Sequence, residues 1–321
     1  MMQPGNRIYV AGHRGLAGSA LTRGLEKRGF SDLITRTHAE LDLQDAVAVD
    51  RFFAEEKPEY VLLAAAKVGG ILANNTFPAD FLRDNLEIQL NVIEASHRHD
   101  VKRVLFLGSS CIYPRDCPQP IKEGYLLTGP LEATNRPYAL AKIAGVEMCW
   151  AYNRQYGTRY IAAMPTNLYG PGDNYDLSSS HVLPALMRKA MLAKRNGDPS
   201  FTVWGTGAPR RELMHSDDLA DACLFLMQSE EDALAPVFSE DHPPLINVGT
   251  GEDLTIRELA ETVAKVAGFT GTLEFDTSKP DGTPRKVLDV SRIQALGWRH
   301  KIGLEDGIRA TYTDFERNSG N

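Results

Sequence analysis

Residues 7–18, RIYVAGHRGLAG, decide how this chain folds. Residues 7–11 read as a short buried strand, and the helical pattern after them runs to about residue 28. Between the two stands Gly-x-x-Gly-x-x-Gly. Gly12 allows a tight turn, Gly15 lets the backbone approach a pyrophosphate, and Gly18 lets the helix pack close to the sheet. The helix N-terminus then supplies free N–H groups and a dipole that favour phosphate. Three glycines alone are ordinary turn punctuation. A strand and a helix in register around them make a dinucleotide site the better reading.

Beyond the turn, residues 33–35 form a second strand. NAD-binding chains usually place an acidic residue at its end, for the ribose hydroxyls. This chain instead reads Thr35-Arg36-Thr37-His38, and Arg14 projects from the glycine turn. Two arginines suit a 2′-phosphate, so NADP(H) is expected over NAD. Asp42 falls where an adenine edge is met. The alternation continues with a helix over 45–56, a strand over 60–64 and a helix from about 79 to 98. A strand over 103–107, a helix over 137–156 and a strand over 159–164 follow. Apolar strands separated by helices mean an α/β fold with a doubly wound parallel sheet, the Rossmann arrangement. The stretch 64–70, which includes Ala64 and Ala65, follows the strand end, where small residues leave room for a cofactor. Leu82, Leu86, Leu90 and Ile93 form a helical stripe, expected in the core or against a second subunit.

The pattern changes past Pro165. Residues 167–172 are turn-rich, helices are expected over 182–194, 217–228 and 255–268, and 229–243 read as a loop. Residues 201–205, 246–249 and 273–275 look like strands, and a helical tail closes the chain. The expected division is a cofactor domain over 1–168, with returns around 212–250, and a smaller, mainly substrate-binding lobe over 169–321.

The bulk numbers fit an ordinary globular enzyme. The chain has 321 residues, 43% hydrophobic and 24% charged, with a mean hydropathy of −0.28. A net charge of −7 gives no electrostatic case for nucleic acid or an anionic membrane. No apolar run approaches the ~20 residues of a membrane span, and the first residues lack the pattern of a signal peptide. The four cysteines form no disulfide framework, so a reducing cytoplasm is the expected setting. Cys111 and Cys117 lack a matching pair at ligand spacing, so no metal site is expected.

One catalytic device stands out. Tyr138 and Lys142, in PYALAK, lie one helical turn apart on one face. A tyrosine, with a pKa of about 10, is a poor acid or base alone; a neighbouring ammonium favours its phenolate. Ser109, at the end of the preceding strand, can hold a carbonyl against the phenol. Cys111 follows two residues later, so an extended segment would turn both side chains to one side. Alone, each of these residues has a bland reading: a surface pair, a buried small thiol, a loop histidine at His181.

Taken together, GHRGLAGSA, AAAKVGGI, GSSCIYP, PYALAK, MPTNLYGPGDN, SSSH, RRELMHSDDLADA, NVGTGEDLTIRELAE and KPDGTPRK resemble the extended short-chain dehydrogenase/reductases that act on nucleotide sugars. Within that family they are most similar to 3,5-epimerase/4-reductases. The resemblance spans nearly the whole chain. It implies conversion of GDP-4-keto-6-deoxy-D-mannose to GDP-L-fucose by epimerisation at C3 and C5 and NADPH-dependent reduction at C4. It assigns Ser109, Tyr138 and Lys142 as the reductase triad, with Lys142 also holding the nicotinamide ribose. Cys111 and His181 become the acid/base pair of epimerisation. It extends the NADP(H) site to His38, Leu107, Gly108, Pro165, Asn167, Leu168 and His181. The GDP-sugar falls to Lys189, Trp204, Arg211, Asp281 and Lys286, and a homodimer is expected.

The chemistry needs such groups. A ketone at C4 acidifies C3 and C5, and inversion there takes a base on one face and an acid on the other. A thiol (pKa about 8.5) and an imidazole (about 6.5) exchange protons at moderate cost. A 4,6-dehydratase of this family typically carries Thr-Asp-Glu where this chain has Ser109-Ser110-Cys111, so dehydration is disfavoured. Arg14 and Arg36 disfavour the tightly held NAD of a 4-epimerase. A sensor that had lost catalysis would be expected to lose these proton-transfer residues first.

Overall fold

In the computed structural model, residues 1–177 and 180–318 are described, so Ser178 and Ser179 of the SSSH motif lie outside the described residues. The first half alternates strand and helix: β1 (Ile8–Ala11), α1 (Leu16–Lys27), β2 (Leu33–Ile34), α2 (Ala46–Glu56) and β3 (Tyr60–Leu63). Then come α3 (Ile71–Thr76), α4 (Pro78–Arg98), β4 (Arg103–Leu107), α5 (Arg136–Tyr156) and β5 (Tyr160–Pro165). The second half holds β6 (Asn167–Tyr169), α6 (Val182–Asn196), β7 (Ser200–Trp204), β8 (Arg210–Arg211), β9 (Leu213–His215) and α7 (Ser216–Gln228). It ends with β10 (Leu245–Val248), β11 (Leu254–Thr255), α8 (Ile256–Ala267), β12 (Thr272–Asp276), β13 (Arg285–Lys286), α9 (Ser291–Ala295) and α10 (Leu304–Asn318).

Six parallel strands form the main sheet in the order β10-β5-β4-β3-β1-β2. Their residues are buried almost without exception, as a sheet covered on both faces requires. The chain leaves β1 toward β2 on one side and toward β3, β4 and β5 on the other. The crevice at the carboxyl ends of β1 and β3 is therefore the topological switch point, where ligands bind in such sheets. Gly12 and Ala65 meet there: with φ +84°, Gly12 lies so close that a Cβ would sit 2.7 Å from the Ala65 backbone. At Gly18 a Cβ would come 2.1 Å from the Gly12 carbonyl oxygen, so only glycine lets α1 start where it does.

A second hydrophobic core gathers Leu186, Met187, Leu259, Val263, Ile308 and Phe315 from α6, α8 and α10. The turn-rich run after Pro165 proves to contain β6, which pairs in parallel with β9. Glu212, buried between β8 and β9, ties the surrounding loops together. Its carboxylate accepts the backbone N–H groups of Gly251 (2.8 Å) and Leu288 (2.7 Å). Its carbonyl accepts from the Asn167 amide (2.8 Å) and the Thr166 hydroxyl (3.3 Å). Glu212→Ala keeps the carbonyl but orphans the buried Gly251 and Leu288 N–H groups, and chemical denaturation is expected to show a loss of about 3 kcal/mol.

The stripe on α4 reaches the core only at Ile93. Ile93 is fully buried, but Leu90 is 51% exposed. The buried face of α4 is instead set by Phe81, Asn85, Gln89, Val92 and Ile93, one step round the helix. Among the described residues, no helix is long and apolar enough to cross a membrane, and no His, Cys, Asp or Glu group is arranged to hold a metal.

Candidate active site

One cavity of about 780 Å³ runs along the switch point, within the range of about 300–1,000 Å³ usual for small-molecule sites. Its floor is the glycine turn. The first turn of α1 has no side-chain cap and no acidic residue, so its N–H groups stay open to an anion. A Cβ on Gly15 would meet nothing closer than a carbonyl oxygen at 3.5 Å. The protein itself does not demand glycine at that position, but a phosphate lying on the turn does. These features fit a dinucleotide. Gly12, Gly15, Leu16, Gly18, Arg36, His38, Asp42, Ala64, Ala65, Leu107, Gly108, Pro165, Asn167 and Leu168 all line the cavity. Arg14 does not. Arg36 is already engaged: it donates to the Thr35 carbonyl (2.8 Å) and pairs with Glu56.

Ser109, Cys111, Tyr138, Lys142, His181 and Lys286 line the same cavity. Ser109 and Cys111 reach it by a turn and not by an extended segment. A short 3-10 helix (Ser110–Ile112) follows Ser109, whose hydroxyl accepts the Cys111 N–H at 3.4 Å. α5 begins with Pro in its first turn and carries Tyr138 and Lys142 on one face. The Lys142 ammonium sits 5.9 Å from the Tyr138 ring centroid and donates to the Leu107 carbonyl at 2.8 Å.

The electrostatics of the protein alone differ from the expected tuning of the phenol by the ammonium. Burial pushes the Tyr138 phenol up, the nearby Cys111 adds to the rise, and Ser109 offsets part of it. Burial lowers Lys142 to about 8, against a smaller opposing effect of Cys111. Burial raises the Cys111 thiol, opposed by Lys286, Ser109 and Lys142. His181 sits at the cavity rim, where desolvation and then Lys286 hold its imidazole below the usual range. Lys142 loses its charge as pH climbs through about 8, so the pH profile of kcat/KM for NADPH is expected to fall above that value. Lys142→Arg, which stays charged, removes that alkaline limb.

The other expected substrate contacts lie off the cavity wall. Trp204 is 61% exposed, with the Lys189 ammonium 5.2 Å and the Lys279 ammonium 5.6 Å from its ring centroid. Lys189 also donates to the Thr202 carbonyl at 2.9 Å. Asp281 accepts from the Thr206 N–H (2.7 Å) and hydroxyl (2.8 Å). Arg211, paired in register with Lys286, donates to the carbonyls of Arg210 (2.8 Å) and Thr283 (2.5 Å). That pairing sets Arg211 beside Lys286, which lines the cavity. Sequence reasoning missed Lys67, Asn74, Asp84, Ile88 and Asn135 on the cavity wall. Asn135 had a signal, since it stands three residues before Tyr138, but an asparagine at a helix start reads as a cap.

A glycine turn open to phosphate, joined to a Ser-Tyr-Lys set at a sheet switch point, defines a nucleotide-dependent oxidoreductase of the extended short-chain type. Residues 8–249 match the model of the NAD dependent epimerase/dehydratase family, and the chain belongs to that family. It is 55% identical over 312 residues to GDP-L-fucose synthase 1 of Arabidopsis thaliana, covering 97% of this chain and 94% of the relative. It is 54% identical over 315 residues to GDP-L-fucose synthase of Escherichia coli strain K12, covering 97% of each. Within the family the chain belongs with the GDP-L-fucose synthases. Among solved structures, a GDP-6-OMe-4-keto-L-xylo-heptose reductase from C. jejuni superposes with a TM-score of 0.92 at 43% identity over 99% of each chain. A GDP-L-fucose synthetase from Naegleria fowleri bound to NADP gives 0.88 at 29% identity, over 99% of this chain and 96% of that one.

Proposed function

We propose that this enzyme converts GDP-4-keto-6-deoxy-D-mannose to GDP-L-fucose by 3,5-epimerisation and NADPH-dependent reduction of the C4 ketone. The observation that carries the reading is the single cavity lined by Ser109, Cys111, Tyr138, Lys142, His181 and the open glycine turn. The cofactor is NADP(H), which supplies hydride when bound. Gly12, Gly15 and the start of α1 hold its phosphates, and Lys142 holds its nicotinamide ribose.

The residues divide the proton chemistry. Cys111 and His181 exchange protons at C3 and C5, while Ser109 and Tyr138 donate to O4 and stabilise the enolate. Tyr138 then gives its proton to the reduced oxygen. A phenol kept fully protonated by burial suits a donor. Arg211 pairs with the pyrophosphate, Trp204 stacks on the base or sugar, and Lys189, Asp281 and Lys286 complete the GDP-sugar site.

We assign residues 1–168, with returns around 212–250, to the cofactor domain and 169–321 mainly to the substrate lobe. β10, which extends the main sheet beside β5, is one such return. The enzyme works as a homodimer. Leu90 on α4 and Leu140 on α5 are exposed on two helices packed together, a face a second copy would cover. It acts in the cytoplasm, where its four free thiols stay reduced.

The test is loss of NADPH absorbance on adding GDP-4-keto-6-deoxy-D-mannose, with a GDP-4-keto-heptose as the competing sugar. Stoichiometric oxidation with the deoxyhexose is expected. Turnover of the heptose alone would move the assignment to the heptose reductases.

A further inference from the structure

Two amide oxygens in the cavity wall have no partner among the described residues. Asn74, on α3, and Asn135, just before α5, both line the cavity, and the side-chain oxygen of each is buried without a hydrogen bond. Proteins seldom leave a buried acceptor unmet, because desolvation costs more than one hydrogen bond returns. The two residues sit on adjoining elements, since α3 packs against the short turn Ala133–Asn135.

Local structure directs each amide. The Asn74 side-chain nitrogen donates to the carbonyls of Gly69 (2.8 Å) and Gly70 (3.1 Å), which leaves its oxygen as the free end. Asn135 holds the N-cap position of α5, where asparagine ordinarily accepts from the first turn, yet it makes no such bond. Pro137 has removed one of the N–H groups available there. The side chain is therefore not occupied with the helix, and it lies three residues before Tyr138 on the same wall.

We propose that Asn74 and Asn135 are positioning residues that accept hydrogen bonds from ring hydroxyls of the ketosugar. The proposal rests on the function given above and deepens it. Phosphates and the C4 ketone offer no protons, so only hydroxyl or amide donors can satisfy these oxygens. Asn135 shares a helix start with Tyr138, whose phenol must reach O4, and this places it beside the sugar ring. Two acceptors on neighbouring elements fix the ring's rotation. That rotation decides whether C4 meets Tyr138 while C3 and C5 meet Cys111 and His181.

Steady-state kinetics on Asn135→Ala and Asn135→Asp, with NADPH affinity from fluorescence titration, test it. Asn135→Ala is expected to raise KM for GDP-4-keto-6-deoxy-D-mannose about tenfold and leave NADPH affinity unchanged. Asn135→Asp keeps an acceptor oxygen and recovers most of that loss. Should the alanine variant not fold, Asn135→Ser keeps a good helix-start residue, shortens the side chain and carries the same expectation. Asn74→Ala is expected to raise the same KM without weakening NADPH. An unchanged KM, equal losses in the alanine and aspartate variants, or a loss seated in NADPH affinity overturns the proposal. Failure of the unaltered enzyme to turn over this sugar contradicts the functional reading instead.

Discussion

Tyr138→Phe is expected to lower the rate of ketosugar reduction by about 10²–10⁴-fold, the range for loss of a positioned acid. The ring stays, so its edge-on contact with Phe81 (centroids 6.3 Å apart) and the packing of α5 are kept. What goes is the one proton that burial holds on the phenol. Solvent-deuterium exchange at C3 and C5 should survive in part, because Cys111 and His181 remain and Ser109 still donates to O4. NADPH consumption followed beside NMR of the sugar in D2O separates the two steps. Equal loss of exchange and reduction would mean that Tyr138 serves the enolate as much as the alcohol.

The converse pattern is expected for Cys111→Ser. A hydroxyl has nearly the thiol's size but is a far weaker acid, so exchange at C3 or C5 should drop by about 10²-fold or more. Reduction of whatever ketosugar is bound should continue, giving a C4 alcohol that lacks inversion at one centre. Burial raises this thiol, while Lys286, Ser109 and Lys142 pull it back. Unchanged exchange in the serine variant would remove Cys111 from the epimerisation.

Much of this was legible in the sequence, and the parts that were not have physical reasons. The glycine turn was readable because Gly12 and Gly18 answer to local constraints, the close approaches that a Cβ at either would violate. The parallel sheet was readable because strands buried on both faces are apolar throughout. Spacing along a helix gave the common face of Tyr138 and Lys142, but not that the ammonium is spent on the Leu107 carbonyl. That depends on where β4 ends relative to α5. The stripe through Leu90 meets the core only at Ile93, because the buried face of α4 mixes Phe81 and Val92 with polar residues, Asn85 bonded to Lys67 and Gln89 to Ala141. Glu212 was unreadable for a similar reason. A glutamate in a polar run announces nothing until three distant segments bring their hydrogen-bond donors to it.

The central claim is that one cavity delivers hydride to C4 of the sugar whose neighbouring carbons it inverts. NMR of the product formed from GDP-4-keto-6-deoxy-D-mannose, NADPH carrying deuterium at nicotinamide C4, and D2O tests it most directly. The expected product is GDP-L-fucose with cofactor-derived deuterium at C4 and solvent deuterium at C3 and C5. A C4 position without the cofactor's deuterium, or C3 and C5 that keep their original hydrogens, would contradict it.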